Sequence, residues 1–256
     1  MGGSGTTFLM EALAELPDLS INPPNAYVNP LKHPLFPPRF EPAPKRAVFL
    51  FACPYNAVLS LFRRGFDALH YAHINELVPD DLSFPEDAWR ETCARFQLHE
   101  ATPDVWVDDR GHYARDIGAL DWYAQRQSVT TTARAAASAR IAAIAGEAYR
   151  DLDDYLARGI DALRKEEQFD RWTSPGAAPY PILLVRYETL YDNLETLTKF
   201  LGLAPGRLSI PPRQARTTDY TTLPEHDRLR LVAMYKNLAD KIASVPDVFL
   251  NTPLSS

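Results

Sequence analysis

An α/β fold, three layers deep with a central, mostly parallel sheet flanked by helices, follows from three features of this 256-residue sequence. Two continuous apolar runs, Ala47-Val48-Phe49-Leu50-Phe51 and Pro181-Ile182-Leu183-Leu184-Val185-Arg186, lack the alternation of a half-exposed strand and read as strands buried on both faces. Each is followed by a segment with helical spacing, and strands alternating with helices imply parallel pairing with a helix layer on either side. The third feature is a glycine-rich loop, Gly2-Gly3-Ser4-Gly5-Thr6-Thr7, that runs directly into a helix-like pattern.

The length fits a single domain over residues 1–256, in which residues 76–175 form a largely helical insertion. Hydrophobic residues at 46% and charged residues at 23% are ordinary for a globular chain, whereas a net charge of −6 argues against a general nucleic-acid binder. Anion binding would have to come from backbone donors and a few placed cations. The two cysteines, Cys53 and Cys93, make no disulfide framework and read as small, semi-buried side chains. No stretch approaches the length of a membrane span, and no signal-peptide pattern precedes the loop, so a cytoplasmic location is expected for the chain as it stands.

Taken in order, the loop at 2–7 is succeeded by Leu9, Leu13 and Leu16 at i, i+4, i+7, closed by Pro17. Glycines let backbone N–H groups approach an anion, and a helix N-terminus adds the positive end of its dipole, so the segment reads as a phosphate cradle. A flexible leader is the competing reading. A Walker A loop is excluded, because no Gly-Lys-Ser/Thr follows. In nucleotide-binding α/β domains a buried strand precedes such a loop. There is no room for one here, so a truncated start or a lost strand is expected, and a truncated start could hide a targeting or anchor segment.

Prolines from Pro23 to Pro44 exclude regular helix and predict an extended wrapping loop. After the strand at 47–51, Pro54 stops the run and Asn56 is a candidate N-cap for a helix through Leu59, Phe62 and Phe66, making this turn a second anion-site candidate. The stretch from about 76 to 122 reads as short helices and loops. Residues 130–166 predict a long helix or a helical pair broken near Gly159, with Arg150, Asp151, Asp153 and Asp154 on a solvated face. Beyond the second strand, Asp192 and Glu195 have capping-box spacing for a helix through Leu197 and Leu201 that stops at Gly202. Leu231, Tyr235, Leu238 and Ile242 define the buried stripe of a last helix. His70, His73, His99, His112 and His226 have no metal-ligand spacing; His70 and His73 could share a helix face but lack a third ligand.

Three blocks together resemble the sulfotransferases that use 3′-phosphoadenosine 5′-phosphosulfate (PAPS). Gly3-Ser4-Gly5-Thr6-Thr7-Phe8-Leu9 is similar to that family's 5′-phosphosulfate loop, and Ala52-Cys53-Pro54-Tyr55-Asn56-Ala57-Val58-Leu59-Ser60 to its 3′-phosphate segment. Val185-Arg186-Tyr187-Glu188-x-Leu190 through Phe200-Leu201-Gly202-Leu203 is similar to its late strand and helix. Lys32-His33-Pro34 is placed like the Lys-Thr-His segment that supplies a catalytic histidine. The resemblance implies a sulfotransferase-like P-loop fold that moves a sulfuryl group from PAPS to a hydroxyl or amine of a small molecule or glycan, with no metal. It implies that Gly3, Ser4, Gly5, Thr6 and Thr7 hold the phosphosulfate, that Ser60 donates to the 3′-phosphate, and that His33 takes the acceptor proton.

Two departures stand out. Gly3 replaces the family's loop cation, and Ala52 its 3′-phosphate arginine, with Cys53 at the following acid or amide position. Lys32, Arg63, Arg64, Arg213 and Arg216 are candidates to supply the missing charge, the last two standing where the family has a late loop over the 3′-phosphate. The residues leave blander roles open: His33 as a loop cap, Ser60 bonding back to its own turn, Tyr187 and Glu188 packing and capping at the strand end. The alternative function is a catalytically degenerate sulfotransferase fold that acts as a binding or scaffold module. A P-loop nucleotide hydrolase is disfavoured by the absent Gly-Lys-Ser/Thr.

Overall fold

The computed structural model describes residues 9–10, 12–13, 16, 34–37, 45–75, 77, 131–212 and 218–253. Among them it is a mixed α/β structure with a three-stranded sheet. In chain order the elements are β1 (Ala47–Phe51), α1 (Pro54–Arg63), α2 (Asp67–Ile74), α3 (Thr131–Ala148), α4 (Leu152–Arg158) and α5 (Lys165–Thr173). Next come β2 (Ile182–Arg186), two 3₁₀ turns (Tyr187–Thr189 and Tyr191–Asn193), α6 (Leu194–Phe200), a third 3₁₀ turn (Tyr220–Thr222), α7 (Glu225–Ser244) and β3 (Val248–Asn251).

The two apolar runs are the strands expected of them, and they pair in parallel, Ala47 opposite Ile182 through Phe51 opposite Arg186. β3 pairs antiparallel on the other edge of β2, Ile182 opposite Asn251 through Val185 opposite Val248. That strand was not anticipated. It has only four residues, and Leu250 is 52% exposed, so neither its length nor its pattern stands out.

Side chains on a strand alternate between faces, and both faces of β1 and β2 are covered. Phe49, Phe51, Ile182 and Leu184 join a core with Val58, Leu61, Tyr155, Phe169, Trp172, Leu231 and Leu238. Phe49 stacks on Trp172 with centroids 4.7 Å apart, and Phe51 meets Phe169 edge-on at 5.7 Å. Leu50, Leu183 and Val185 join a second core with Leu9, Ala12, Leu13, Leu190, Leu197 and Leu208. This is why the runs carry no polar alternation: each residue has an apolar layer to face.

The helices follow their sequence signals, with two corrections. Asn56 does not cap α1; the helix starts at Pro54 with Cys53 as N-cap, because proline suits the first helical position, where no intrahelical N–H bond is needed. Asp192 does not cap α6; it lies in a 3₁₀ turn, and Asn193 is the cap residue. Gly202 ends α6 as expected. Its φ of 74° lets Leu203 N–H reach Thr198 C=O at 3.0 Å, closing the last turn. The 130–166 pattern resolves into α3 and α4, and α4 ends at Gly159. Within the expected solvated face, Asp151 is the N-cap of α4, accepting from Asp154 N–H at 2.9 Å. The stripe Leu231, Tyr235, Leu238, Ile242 is buried along α7.

Leu184 is fully buried at the centre of the sheet. Leu184→Ala is expected to lower stability by about 2–5 kcal/mol, whereas Leu229→Ala, at a position 59% exposed, should change it by no more than about 0.5 kcal/mol. Urea denaturation of both variants checks the contrast; equal losses would contradict the assignment of the core.

Candidate functional site

Parallel pairing sends β1 and β2 in the same direction, so their carboxyl ends and the turns that follow lie side by side. Phe51 and Arg186 are the last registered pair. From Phe51 the chain passes through fully buried Ala52 and half-buried Cys53 into α1; from Arg186 it enters the turn holding Tyr187 and Glu188. The two turns are joined by a hydrogen bond, Cys53 N–H donating to Glu188 Oε1 at 3.1 Å. α1 has no side-chain cap of its own. The Glu188 carboxylate, arriving from a residue 135 positions away, therefore complements the positive end of the α1 dipole. Capping at the strand end was one expected role for Glu188, and it is the role observed.

Ser60 lies about two turns into α1, half-buried, with its carbonyl accepting from Arg64 N–H at 3.2 Å. Asn56, Ser60 and Arg63 stand at i, i+4 and i+7, one stripe of the helix. The chain at 219–222 runs along that stripe. Tyr220 N–H donates to Asn56 Oδ1 at 2.8 Å, and Arg63 Nη2 donates to Thr222 Oγ1 at 3.2 Å, on either side of Ser60. Tyr55 and Tyr220 add a ring contact at 4.8 Å. Upstream, Tyr191 O–H donates to Pro211 C=O at 2.9 Å. The late segment is thus pinned at Pro211 to the turn after β2, and at Tyr220 to α1.

Of the cations expected near the two loops, Arg63 shares the Ser60 stripe, while Arg64 sits over the Phe66 ring at 4.6 Å. Arg186 serves the scaffold: its Nη2 donates to Ile242 C=O at 2.7 Å and Val245 C=O at 3.2 Å, tying β2 to the end of α7. Gly3, Ser4, Gly5, Thr6, Thr7, Lys32, His33, Arg213 and Arg216 lie outside the described residues. Two flanking observations bear on them. Leu9 and Leu13, which follow the glycine loop, are buried against Leu50, Leu183 and Val185. Pro34, which follows His33, is fixed through its carbonyl by Gln168 Nε2 and Trp172 Nε1, each donating at 3.0 Å.

A second polar cluster was not read from the sequence. Lys165, fully buried in the first turn of α5, places Nζ 2.8 Å from Nε2 of buried His70 on α2. Burial pushes the Lys165 ammonium down to about 7, against the opposing pull of the Asp161 carboxylate. Asp161 is itself raised by burial, and it accepts from Tyr235 O–H at 2.6 Å, from Tyr155 O–H at 3.3 Å and from Glu166 N–H at 3.1 Å. A lysine among Glu166, Glu167 and Arg164 reads as part of a solvated face, and nothing local in the sequence marks it as buried. Among the described residues, no group of three or more His, Cys, Asp or Glu side chains is arranged to hold a metal, and no helix is long and apolar enough to cross a membrane. No family model, curated protein or solved structure matches this chain.

Glu188→Ala removes the acceptor of Cys53 N–H in a half-buried setting and is expected to cost about 1–3 kcal/mol. Glu188→Gln keeps an acceptor and should cost less than half as much. Chemical denaturation distinguishes the two, and equal losses would show that the cross-strand bond contributes nothing.

Proposed function

We propose that the protein is a sulfotransferase-like α/β domain of three layers that binds PAPS and transfers its sulfuryl group to a hydroxyl or amine acceptor, a small molecule or a glycan. One observation carries this reading. The blocks at 52–60 and 185–190, far apart in sequence, meet at the carboxyl ends of adjacent parallel strands through the Cys53–Glu188 bond. Ligands of α/β sheets bind outside those strand ends. The burial of Leu9 and Leu13 against the same two strands supports bringing the glycine loop, which precedes them by a few residues, to that edge.

Sulfuryl transfer makes one bond, from the acceptor oxygen or nitrogen to sulfur, and breaks the bond from sulfur to the phosphate oxygen. The acceptor proton leaves to a base. Catalysis then depends on positioning and on donors around the transferred and leaving oxygens. In this reading the backbone N–H groups of Gly3–Gly5 and the hydroxyls of Thr6 and Thr7 hold the phosphosulfate, His33 accepts the proton, and Lys32 supplies charge beside it. Ser60 donates to the 3′-phosphate. Arg63, on the Ser60 stripe, stands in for the arginine that Ala52 replaces. In sequence, Arg213 and Arg216 fall between Pro211, bonded to Tyr191 after β2, and Tyr220, bonded to Asn56 of α1.

The replacements at Gly3 and Ala52 favour one further reading, a sulfotransferase-like fold that binds the nucleotide without turning it over. Titration calorimetry with adenosine 3′,5′-bisphosphate tests the binding common to both. Micromolar binding is expected, weakened about tenfold or more in Ser60→Ala and in Arg63→Ala, as loss of a charge-assisted bond of about 1.5–3 kcal/mol requires. No binding at millimolar ligand overturns the proposal, and a preference for ATP points to a nucleotide hydrolase. Where binding holds, labelled PAPS with a pool of alcohols, amines and glycans separates transferase from binding module: His33→Ala should lose transfer while keeping affinity.

A further inference from the structure

The described residues 34–37 of the proline-rich segment are seated on α5. Leu35 is 5% exposed and Pro37 is buried, while Phe36 lies at the surface with the Arg171 guanidinium over its ring at 4.9 Å. The polar part of the seat converges on one carbonyl. Gln168 Nε2 and Trp172 Nε1, about one turn apart on α5, both donate to Pro34 C=O at 3.0 Å. Burial of Leu35 and Pro37 alone would hold the segment against the helix without fixing its direction. Hydrogen bonds are directional, and two donors on one oxygen fix the plane of the peptide unit between Pro34 and Leu35. The pyrrolidine ring locks φ of Pro34, so one soft backbone angle separates that plane from the nitrogen to which His33 is joined.

Both donors belong to the core and are held there by the sheet. Gln168 is fully buried and Trp172 is 5% exposed. The Trp172 ring stacks on Phe49 of β1 at 4.7 Å, and its carbonyl accepts from Asn251 Nδ2 of β3 at 3.2 Å. A polar N–H this deep costs free energy unless an acceptor meets it, whereas an apolar side chain would pack without that requirement. The direction of α5 gives the anchor its place. Phe169 meets Phe51, the last residue of β1, and Trp172 meets Phe49, two residues earlier. The helix therefore runs antiparallel to β1, with Gln168 level with the carboxyl end of the strand. Pro34 C=O is thus held in the layer over the carboxyl half of β1, the half that leads to Cys53 and Ser60. Chain connectivity keeps the His33 Cα within about 4 Å of the Pro34 Cα.

We propose that Gln168 and Trp172 are positioning residues for sulfuryl transfer, which fix through Pro34 the backbone from which His33 takes the acceptor proton. The inference rests on the role of His33 proposed above. The step they serve is the one already given: the acceptor oxygen or nitrogen bonds to sulfur, the bond from sulfur to the phosphate oxygen breaks, and the acceptor proton passes to His33. Neither Gln168 nor Trp172 exchanges that proton. A base must lie within hydrogen-bond reach of the proton it removes, and a misplacement of about 1 Å can cost about 10²-fold in rate. A carbonyl held twice, one residue from the base, meets that demand with groups that the core already keeps rigid.

Trp172→Phe keeps a ring to stack on Phe49 and removes the indole N–H; Gln168→Met keeps the length and removes the amide. Together they should lower kcat for transfer from labelled PAPS at least about tenfold, while affinity for adenosine 3′,5′-bisphosphate by calorimetry stays within about twofold. Each single substitution should give a smaller loss of the same kind, and either carries the test if the double variant does not fold. In a His33→Ala background the same pair should lower kcat no further, a coupling that general loosening of the fold would not produce. Independently of turnover, hydrogen exchange of a peptide carrying Leu35 and Phe36 should quicken at least about tenfold in the double variant, with residues 182–186 unchanged. Undiminished kcat overturns the positioning role and leaves that of His33 standing. So does nucleotide affinity that falls in step with kcat, or an equal further loss in the His33→Ala background. Unchanged exchange at Leu35 and Phe36 overturns it whether or not the chain turns over PAPS. Full transfer by His33→Ala, or none by the natural chain, overturns the reading of His33 as base and this inference with it.

Discussion

The parallel pairing of β1 with β2, covered on both faces, is the constraint on which the rest of the structure rests. Five registered pairs place ten residues in line, and alternation then assigns each apolar side chain to one of two cores. A slip of one residue would exchange the contents of the two faces. The aromatic pairs Phe49–Trp172 and Phe51–Phe169 fit one layer, while Leu50, Leu183 and Val185 fit the leucine-rich layer opposite. Register, helix placement and core composition are therefore a single choice. The antiparallel β3 adds to it without altering it, since its partner residues on β2 already have both faces filled.

The same pairing creates the candidate site. Parallel strands end together, so two turns more than a hundred residues apart become neighbours, and the backbone groups exposed there need partners. Glu188 supplies one by accepting from Cys53 N–H. The consequence for function is specific. A carboxylate is already seated at the α1 N-terminus, so an anionic ligand would be received further along α1, beside Ser60 and Arg63, rather than at the helix tip. That geometry suits a chain whose net charge is −6. The attraction must come from a few placed donors, and the Asn56–Ser60–Arg63 stripe, flanked by the 219–222 segment, is where the described residues gather them.

Much of this was legible in the sequence wherever one residue's environment is set by its near neighbours. The apolar runs at 47–51 and 182–186 could only be strands with two covered faces, and Gly202 could only end α6. What failed to show was decided over long sequence distances. Asn56 looks like an N-cap because asparagine often is one, yet Pro54 starts the helix two residues earlier and frees the Asn56 amide for Tyr220. β3 depends on a partner strand far upstream, with Val248 opposite Val185, a pairing that no local pattern encodes. Lys165 sits among charged residues and reads as solvated. Its burial is imposed by α2 closing over it and by Asp161 held in place by Tyr155 and Tyr235.

The buried lysine also bears on how the fold is put together. Taking an ammonium out of water is costly, and an interior that held an apolar side chain instead would avoid that cost. The chain meets it with groups from separate elements: His70 from α2, Asp161 from the turn after α4, and through Asp161 the hydroxyls of Tyr155 and Tyr235. None of these is adjacent to Lys165 in sequence, so the charge is tolerable only when α2, α4, α5 and α7 have all assembled. An apolar residue would pack acceptably in many partly formed arrangements. A lysine with these partners is satisfied only in the assembled arrangement, which favours that arrangement over partly formed ones.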